Sequence, residues 1–217
     1  MIPRALSIAG SDPDGGAGIQ ADLKTFSALG VYGMTVITSV TAQNTMELKK
    51  IHDVPVDVIR AQIESLISDI SIDAVKTGML HTKEIVEVVA EEIGKQNFPL
   101  VIDPVMATKS RAPLLEEDAK SALIKILFPL ATIVTPNSVE AEMISGIEIK
   151  TIDDAKDAAV RIAKLGAKAV LIKGGHAFSD KKALDLFYLD NNFKVFEAKR
   201  IETKTTHGAG CSFAAAI

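Results

Sequence analysis

Near the end of the 217-residue chain, Thr205-Thr206-His207-Gly208-Ala209-Gly210-Cys211-Ser212-Phe213 sets hydroxyl-bearing residues ahead of a Gly-x-Gly, a thiol and an apolar run to Ile217. That order suits a helix N-terminus built for an anion. Gly208 and Gly210 let the backbone approach a ligand with no Cβ in the way. The free N–H groups of the first helical turn and the positive end of the macrodipole then face negative charge. Cys211 would share that field, which favours thiolate and lowers a thiol pKa. The alternative is an ordinary glycine turn before a core helix, with Cys211 as one more small buried hydrophobe.

Three more positions could do chemistry beside it. Asp103 follows Val101-Ile102 and is pinned by Pro104. A carboxylate at a buried strand's end is a natural hard-cation ligand, directly or through water; it could equally cap nearby amides. Glu140 stands three residues after Asn137, which is a capping arrangement, yet it also follows an apolar strand and so shares a sheet edge with Asp103. Lys173 ends the run Ala169–Ile172, where it could meet phosphate oxygens or simply snorkel from the rim. Two carboxylates, a cation and an anion-binding helix start at one edge suggest a magnesium-bearing phosphate. Two nucleotide motifs are excluded. Gly16-Ala17-Gly18-Ile19-Gln20-Ala21 fits the dinucleotide fingerprint, but it starts too far beyond Ile8 for a tight first turn, and Val36–Val40 offers no acid for a ribose. No P-loop pattern occurs.

The elements that must position these residues read as strands alternating with helices. Strand-like segments at Ala5–Ala9, Val31–Ala42, Ala74–Met79, Leu100–Pro104, Ala131–Thr135 and Ala169–Lys173 are mostly apolar runs without period-2 alternation. Helical spacing predicts helices over Ile19–Leu29 (stopped by Gly30), Pro55–Ile70, Lys83–Ile93, Glu116–Leu127, Asn137–Ser145 and Asp153–Leu165. Ala183–Leu189 and Phe193–Ala198 form a hairpin around Asp190-Asn191-Asn192. Gln43-Asn44-Thr45 is expected to be a polar loop. The pattern is that of a mostly parallel sheet with helices on both faces, where ligands gather at the carboxyl ends of strands. Gly10–Gly18, Gln43–Thr45, Gly78-Met79, Asp103, Asn137 and Lys173-Gly174-Gly175 all fall there. With no repeat, low-complexity tract or linker, residues 1–217 read as one domain.

Composition narrows the partners. Hydrophobic content of 47% and charged content of 24% are ordinary for a globular protein. A net charge of −4 offers no bulk attraction to nucleic acid or an anionic membrane, so phosphate binding must be local. No apolar run approaches the roughly 20 residues of a spanning helix, and Met1-Ile2-Pro3-Arg4 leads directly into a strand-like segment, so no signal peptide is expected. A single cysteine fits a reducing compartment, and the cytoplasm is expected.

Taken together, the motifs resemble the ribokinase superfamily, and within it the hydroxymethylpyrimidine/phosphomethylpyrimidine kinases of thiamine biosynthesis. The resemblance runs through Ala9-Gly10-Ser11-Asp12-Pro13, Gly15–Thr25, Val40–Thr45, Lys76-Thr77-Gly78-Met79-Leu80, Asp103-Pro104-Val105-Met106, Thr135-Pro136-Asn137, Lys173-Gly174-Gly175-His176 and Thr206–Cys211. It implies a ribokinase-like three-layer α/β/α sandwich with a mostly parallel central sheet. It implies an ATP-dependent kinase that phosphorylates a pyrimidine hydroxymethyl group and then the resulting monophosphate. It also maps roles onto residues. Gln43 would read the aminopyrimidine edge, with Ala17, Asp22, Met79 and Val105 around it. Gly208, Ala209 and Gly210 would form the anion hole, and Cys211 stands where most ribokinase relatives carry an aspartate base. Asp103 and Glu140 match magnesium-site positions, while Lys173, Asn137, Thr205 and Thr206 match nucleotide contacts. ATP, Mg²⁺ and a homodimer follow from the same resemblance, with neither nucleic acid nor membrane as partner. Relatives continue for a few dozen residues past the position of Ile217, so the C-terminal end of the domain is expected to be missing. Two other readings remain: a pyridoxal kinase of the same subfamily, and a non-catalytic pyrimidine-binding relative.

Overall fold

Apart from Ser7, residues without polar side chains fill the middle of β1 (Arg4–Ser11), where Leu6, Ile8 and Ala9 are buried, and of β7 (Ala169–Lys173), where Val170 and Ile172 are fully so. Strands buried on both faces need a helical layer on each side. The computed structural model describes residues 2–107, 114–175, 178, 182–203 and 206–217, and supplies both layers.

The nine strands of the sheet also include β2 (Tyr32–Gln43), β3 (Leu48–Asp53), β4 (Ala74–Thr77), β5 (Leu100–Ile102), β6 (Ile133–Val134), β8 (Lys182–Leu189) and β9 (Asn192–Lys199). Their order is β3-β2-β1-β4-β5-β6-β7-β8-β9. The six strands from β2 to β7 in that order are parallel, and antiparallel partners finish both edges. The chain first moves outward from β1 to β2 and then returns to β4. Right-handed crossovers therefore put α1 (Gly18–Ala28) on one face and the following helices on the other. Those are α2 (Val56–Asp69), α3 (Lys83–Gly94), α4 (Glu117–Ala122), α5 (Ser138–Ser145) and α6 (Ile152–Ala163). The last helix, α7 (Ala209–Ala215), packs on α1.

Alternation along β6 and β7 shows the two layers directly. Val134, Val170 and Ile172 join the large core that includes Ala155, Ala158, Ala159 and Ile162 of α6. Ile133, Ala169 and Leu171 form a separate cluster with Phe213 of α7. Each fully buried Ile or Leu contributes about 1.5–3 kcal/mol relative to exposure, so the two clusters fix the stacking of the layers. The fold is the three-layer, mostly parallel α/β/α sandwich expected.

Two local features differ from the sequence expectation, and a third matches it. Gln43-Asn44-Thr45 opens a hairpin, because Leu48–Asp53 pairs antiparallel with β2. The helix expected over Glu116–Leu127 keeps α geometry only to Ala122 and widens to a π turn over Leu123–Leu127 before Phe128–Leu130. The hairpin at Asp190-Asn191 has both residues at positive φ, 48° and 62°, which matches the twist of β8 and β9.

Candidate active site

The carboxyl ends of the parallel strands are held level by hydrogen bonds that outrun the strands. Gly78 N–H donates to Ile8 O at 3.0 Å, Asp103 N–H to Thr77 O at 3.0 Å, Thr135 N–H to Ile102 O at 2.9 Å and Lys173 N–H to Pro136 O at 2.8 Å. Residues from five strands thus meet at one rim, beside the point where strand order reverses between β1 and β4, where α/β sheets open a crevice. A cleft of ≈ 330 Å³ lies there.

Most of the expected site residues line it. Gln43, Ala17 and Val105 do, as do Asp103, Glu140, Asn137 and Lys173, and Thr206, Gly208, Gly210 and Cys211. A smaller chamber of ≈ 60 Å³ shares Ala17, Gln43, Val105 and Cys211 with it and adds Met79 and Lys76. Met79 lies against Gly10, where any Cβ would come 2.6 Å from its Cε. Thr205 falls outside the described residues. Asp22 lines neither space: it is fully buried, accepting from Ser7 Oγ at 2.5 Å and from Lys76 Nζ at 2.8 and 2.9 Å. Its place is beneath the pocket, reaching it only through Lys76.

The charged wall is compact. Lys173 Nζ donates to Asp103 Oδ1 at 2.8 Å, and Thr135 Oγ1 approaches the same oxygen at 3.5 Å. Asn137 accepts the N–H of Glu140 at 2.9 Å, and Glu140 Oε2 accepts that of Asn137 at 2.8 Å. The capping reading and the site reading of Glu140 therefore both hold, because the capping box turns this buried carboxylate toward the rim. Burial, then the charge of Asp103, raise Glu140 to about 7 against the pull of Lys173. Burial works against the Lys173 ammonium, but Asp103 and Glu140 more than offset it and hold it charged.

At α7, Gly208 is the N-cap at φ +72°, and a Cβ there would fall 1.6 Å from the carbonyl oxygen of Gly16. Only glycine permits this contact between the two loops. A Cβ on Gly210 would sit 3.2 Å from Lys173 Nζ, so the helix start lies directly against the charged wall. Ala209 N–H is taken by Thr206 O at 3.3 Å, whereas among the described residues no backbone carbonyl takes the N–H of Gly210 or Cys211. These two amides are the ones left for an anion.

Cys211 corrects the expectation of a depressed thiol pKa. Burial raises it, and Asp103 and Asp22 add to the rise; Lys76 and the N–H of Gly18 pull the other way without prevailing. Lys76 is the residue that sequence reasoning missed. It is 2% exposed, and although burial opposes its charge, Cys211, Asp22 and Asp103 keep it protonated. An apolar-looking strand gave no sign of it, since its partners come from α1 and α7. Asn44 and Thr45 line the cleft as their place at the ligand edge predicts, while Met46, Glu47 and Leu48 were missed as part of its wall; Asn44 Oδ1 accepts the N–H groups of Met46 and Glu47 at 2.8 and 3.0 Å.

Comparison with known proteins shows the family. The family model described as phosphomethylpyrimidine kinase matches residues 12–217. The hydroxymethylpyrimidine/phosphomethylpyrimidine kinase of Bacillus subtilis is 46% identical over 217 residues, covering 100% of this chain and 80% of that protein. Among solved structures, phosphomethylpyrimidine kinase of Clostridium difficile superposes with a TM-score of 0.85 at 48% identity, covering 98% of this chain and 90% of that one. An ADP complex of Bacillus subtilis pyridoxal kinase gives 0.92 at 44% identity, covering 100% and 82%. The chain belongs to the phosphomethylpyrimidine kinase family, and is a phosphotransferase of the hydroxymethylpyrimidine/phosphomethylpyrimidine kinase type that serves thiamine biosynthesis.

Proposed function

We propose that this cleft transfers the γ-phosphoryl group of ATP to the hydroxymethyl oxygen of 4-amino-5-hydroxymethyl-2-methylpyrimidine, and then a second one to the monophosphate. The observation that carries this is the convergence of Gln43, Lys173, the amides of Gly210 and Cys211, and the Asp103–Glu140 pair on one cleft. Transfer through a loose transition state asks for in-line positioning and neutralised oxygens more than covalent help. Gln43 places the ring. Lys173 and the two amides face the phosphoryl oxygens, and Thr206 and Asn137 stand on the nucleotide side. As the oxygen–phosphorus bond forms and ADP leaves, the hydroxyl proton passes to Cys211 Sγ in its thiolate form, a contribution of about 10²–10⁴-fold. The simplest test is Gln43→Leu, which leaves the ring's polar edge unpaired. Calorimetry should show pyrimidine affinity reduced about 10–100-fold with ATP affinity unchanged; equal losses for both ligands would make Gln43 structural.

Two buried carboxylates with one lysine between them are under-neutralised, and an all-oxygen donor set of this kind fits a hard divalent cation. Asp103 would hold Mg²⁺, and Glu140 would support it while keeping its bond to Asn137. The ion would supply charge neutralisation at the β- and γ-phosphates. This gives a measurable pH dependence. Glu140's folded pKa of about 7 lies above its ordinary 4.5, so between those values the folded state binds more protons than the unfolded one. Stability contributed by this group is present below about pH 4.5 and declines as pH rises through 7, by about 3 kcal/mol. Denaturant unfolding at pH 5 and pH 8 should show the decline without Mg²⁺, a smaller one with it, and none in Glu140→Gln. A decline indifferent to Mg²⁺ would remove the cation from this place.

The reading extends to a homodimer in the cytoplasm, supported by the family resemblance and the single cysteine. Sedimentation velocity would check the oligomer. The likeness to the pyridoxal kinase at TM-score 0.92 favours a second reading, in which a pyridoxal ring occupies the same pocket. Turnover of the pyrimidine, its monophosphate and pyridoxal, measured side by side, separates the two.

A further inference from the structure

The starts of two helices meet at one carboxylate that the reaction above does not use. Asp12, in the loop after β1, is 1% exposed. Its Oδ2 accepts the N–H of Ala17, the N-cap of α1, at 2.8 Å. The same oxygen lies 2.8 Å from Nε2 of His207, the residue before the Gly208 cap of α7. Asp14 Oδ2, at 3.9 Å, is too far to share that bond. Burial opposes the charge of Asp12, but the hydrogen bonds it accepts outweigh burial and hold it below its ordinary range. An ionised carboxylate only accepts, so His207 Nε2 carries the hydrogen and donates it.

The carboxylate is itself a fixed point. Asp12 N–H donates to Gln20 Oε1 at 2.9 Å, and Gln20 Nε2 donates to Ser11 Oγ at 2.7 Å. Asp12 O accepts the N–H of Gly15 and Asp12 Oδ1 that of Asp14, each at 3.0 Å. Thr41 Oγ1 holds Ser11 O at 2.9 Å. The ring of His207 rests on Gly16, where a Cβ would come 2.7 Å from its Cδ2. What the bond joins is two sides of one cleft: Ala17 lines it beside Gln43, and Gly210 and Cys211 line it beside Lys173.

We propose that Asp12 and His207 are positioning residues for the transfer: their hydrogen bond keeps the pyrimidine side of the cleft in register with the amides of Gly210 and Cys211, so that the hydroxymethyl oxygen reaches phosphorus ahead of water. The inference rests on the reading that Ala17 and Gln43 face the pyrimidine and the two amides the phosphoryl group. Each side keeps its own contacts without the bond, and only the distance between them is set by it. A displacement of about 1 Å between reacting groups costs about 10²-fold in rate.

Two variants of the full chain separate this from other roles. His207→Leu keeps bulk and removes the donor, whereas in His207→Gln the amide nitrogen can take the place of Nε2. In His207→Leu, kcat should fall about 10²-fold, while the affinities for the pyrimidine alone and ADP alone, read by calorimetry, stay within about threefold. The ADP formed per phosphopyrimidine formed should rise about tenfold or more, because water attacks the phosphorus that the displaced hydroxyl no longer reaches. His207→Gln should recover most of the rate and the original ratio. A leucine variant at full rate, or one that loses affinity for either ligand in step with kcat, overturns the proposal. A glutamine variant as slow as the leucine one overturns it too, since His207 would then act on the substrate itself. If His207→Leu does not fold, the ¹⁵N-labelled unmodified protein decides. It should show a slowly exchanging imidazole N–H signal that His207→Gln removes, and absence of that signal overturns the proposal. Should the unmodified protein make no phosphopyrimidine, the pyrimidine reading fails, and the imidazole signal still judges whether Asp12 holds His207.

Discussion

Gly208→Ala should lower kcat/KM by about 10³-fold or more while the bulk of the fold survives. The substituted residue would have to keep φ at +72°, which costs an L-residue about 1–2 kcal/mol. Its Cβ would also press to 1.6 Å from the Gly16 carbonyl oxygen and 2.5 Å from the carbon, so the two loops must part. The amides of Gly210 and Cys211 move with them, away from Lys173. A misplacement of about 1 Å costs about 10²-fold, and the loss of one transition-state donor about 10²–10³-fold. The α2–α6 layer is remote from the contact, so thermal unfolding should move by a few degrees at most. Steady-state kinetics beside a melting curve checks both halves. A variant within tenfold of the unmodified rate would show that the loops need not touch.

Cys211→Ser should reduce kcat by about 10²-fold with little change in pyrimidine affinity, if the thiolate takes the proton in the transition state. Its raised pKa makes the pH profile informative. Because the base form is scarce near neutrality, kcat/KM should climb with pH beyond the range of an ordinary thiol. Alkylation by iodoacetamide should for the same reason be slower than for an exposed model thiol. Cys211→Asp restores an acceptor that ionises at neutral pH over the Lys76 ammonium, and should recover part of the rate with a flat profile. A serine variant at full rate would leave catalysis to Lys173, the two amides and the cation.

The sequence showed the sheet well, because strands buried on both faces carry uninterrupted apolar runs. It showed Asp103 and Lys173 for a related reason: a charged residue directly after such a run has few places to go except the rim. Glu140 was legible through its capping position three residues after Asn137. What escaped notice depended on partners far away in the chain. β3 was missed since Leu48–Asp53 is an edge strand with two lysines and no continuous buried face. Lys76 and Asp12 meet their partners 54 and 195 positions away, and no local spacing records that. Asp22 had the right chemistry for a binding residue, but Ser7 and Lys76 occupy its oxygens. The thiol of Cys211 was misjudged because the field of a helix start is legible from glycines, whereas the burial that overrides it is not.

The pair beneath the pocket constrains the evolution of this chain. Lys76 and Asp22 are 2% and 0% exposed and bond to one another at 2.8 Å. Removing either alone strands a buried charge and should cost about 3–5 kcal/mol, whereas exchanging both for apolar residues of similar volume can be near neutral for stability. That is strong epistasis, with a viable start, a viable end and two poor intermediates. A lineage can cross such a valley only by near-simultaneous change or after a compensating substitution. Stability measured for Lys76→Met, Asp22→Leu and the double variant would show this as a coupling of several kcal/mol, and additive losses would show that no valley exists. With a stability margin of about 5–15 kcal/mol for a typical domain, drift at these two positions is arrested by folding before catalysis is even consulted.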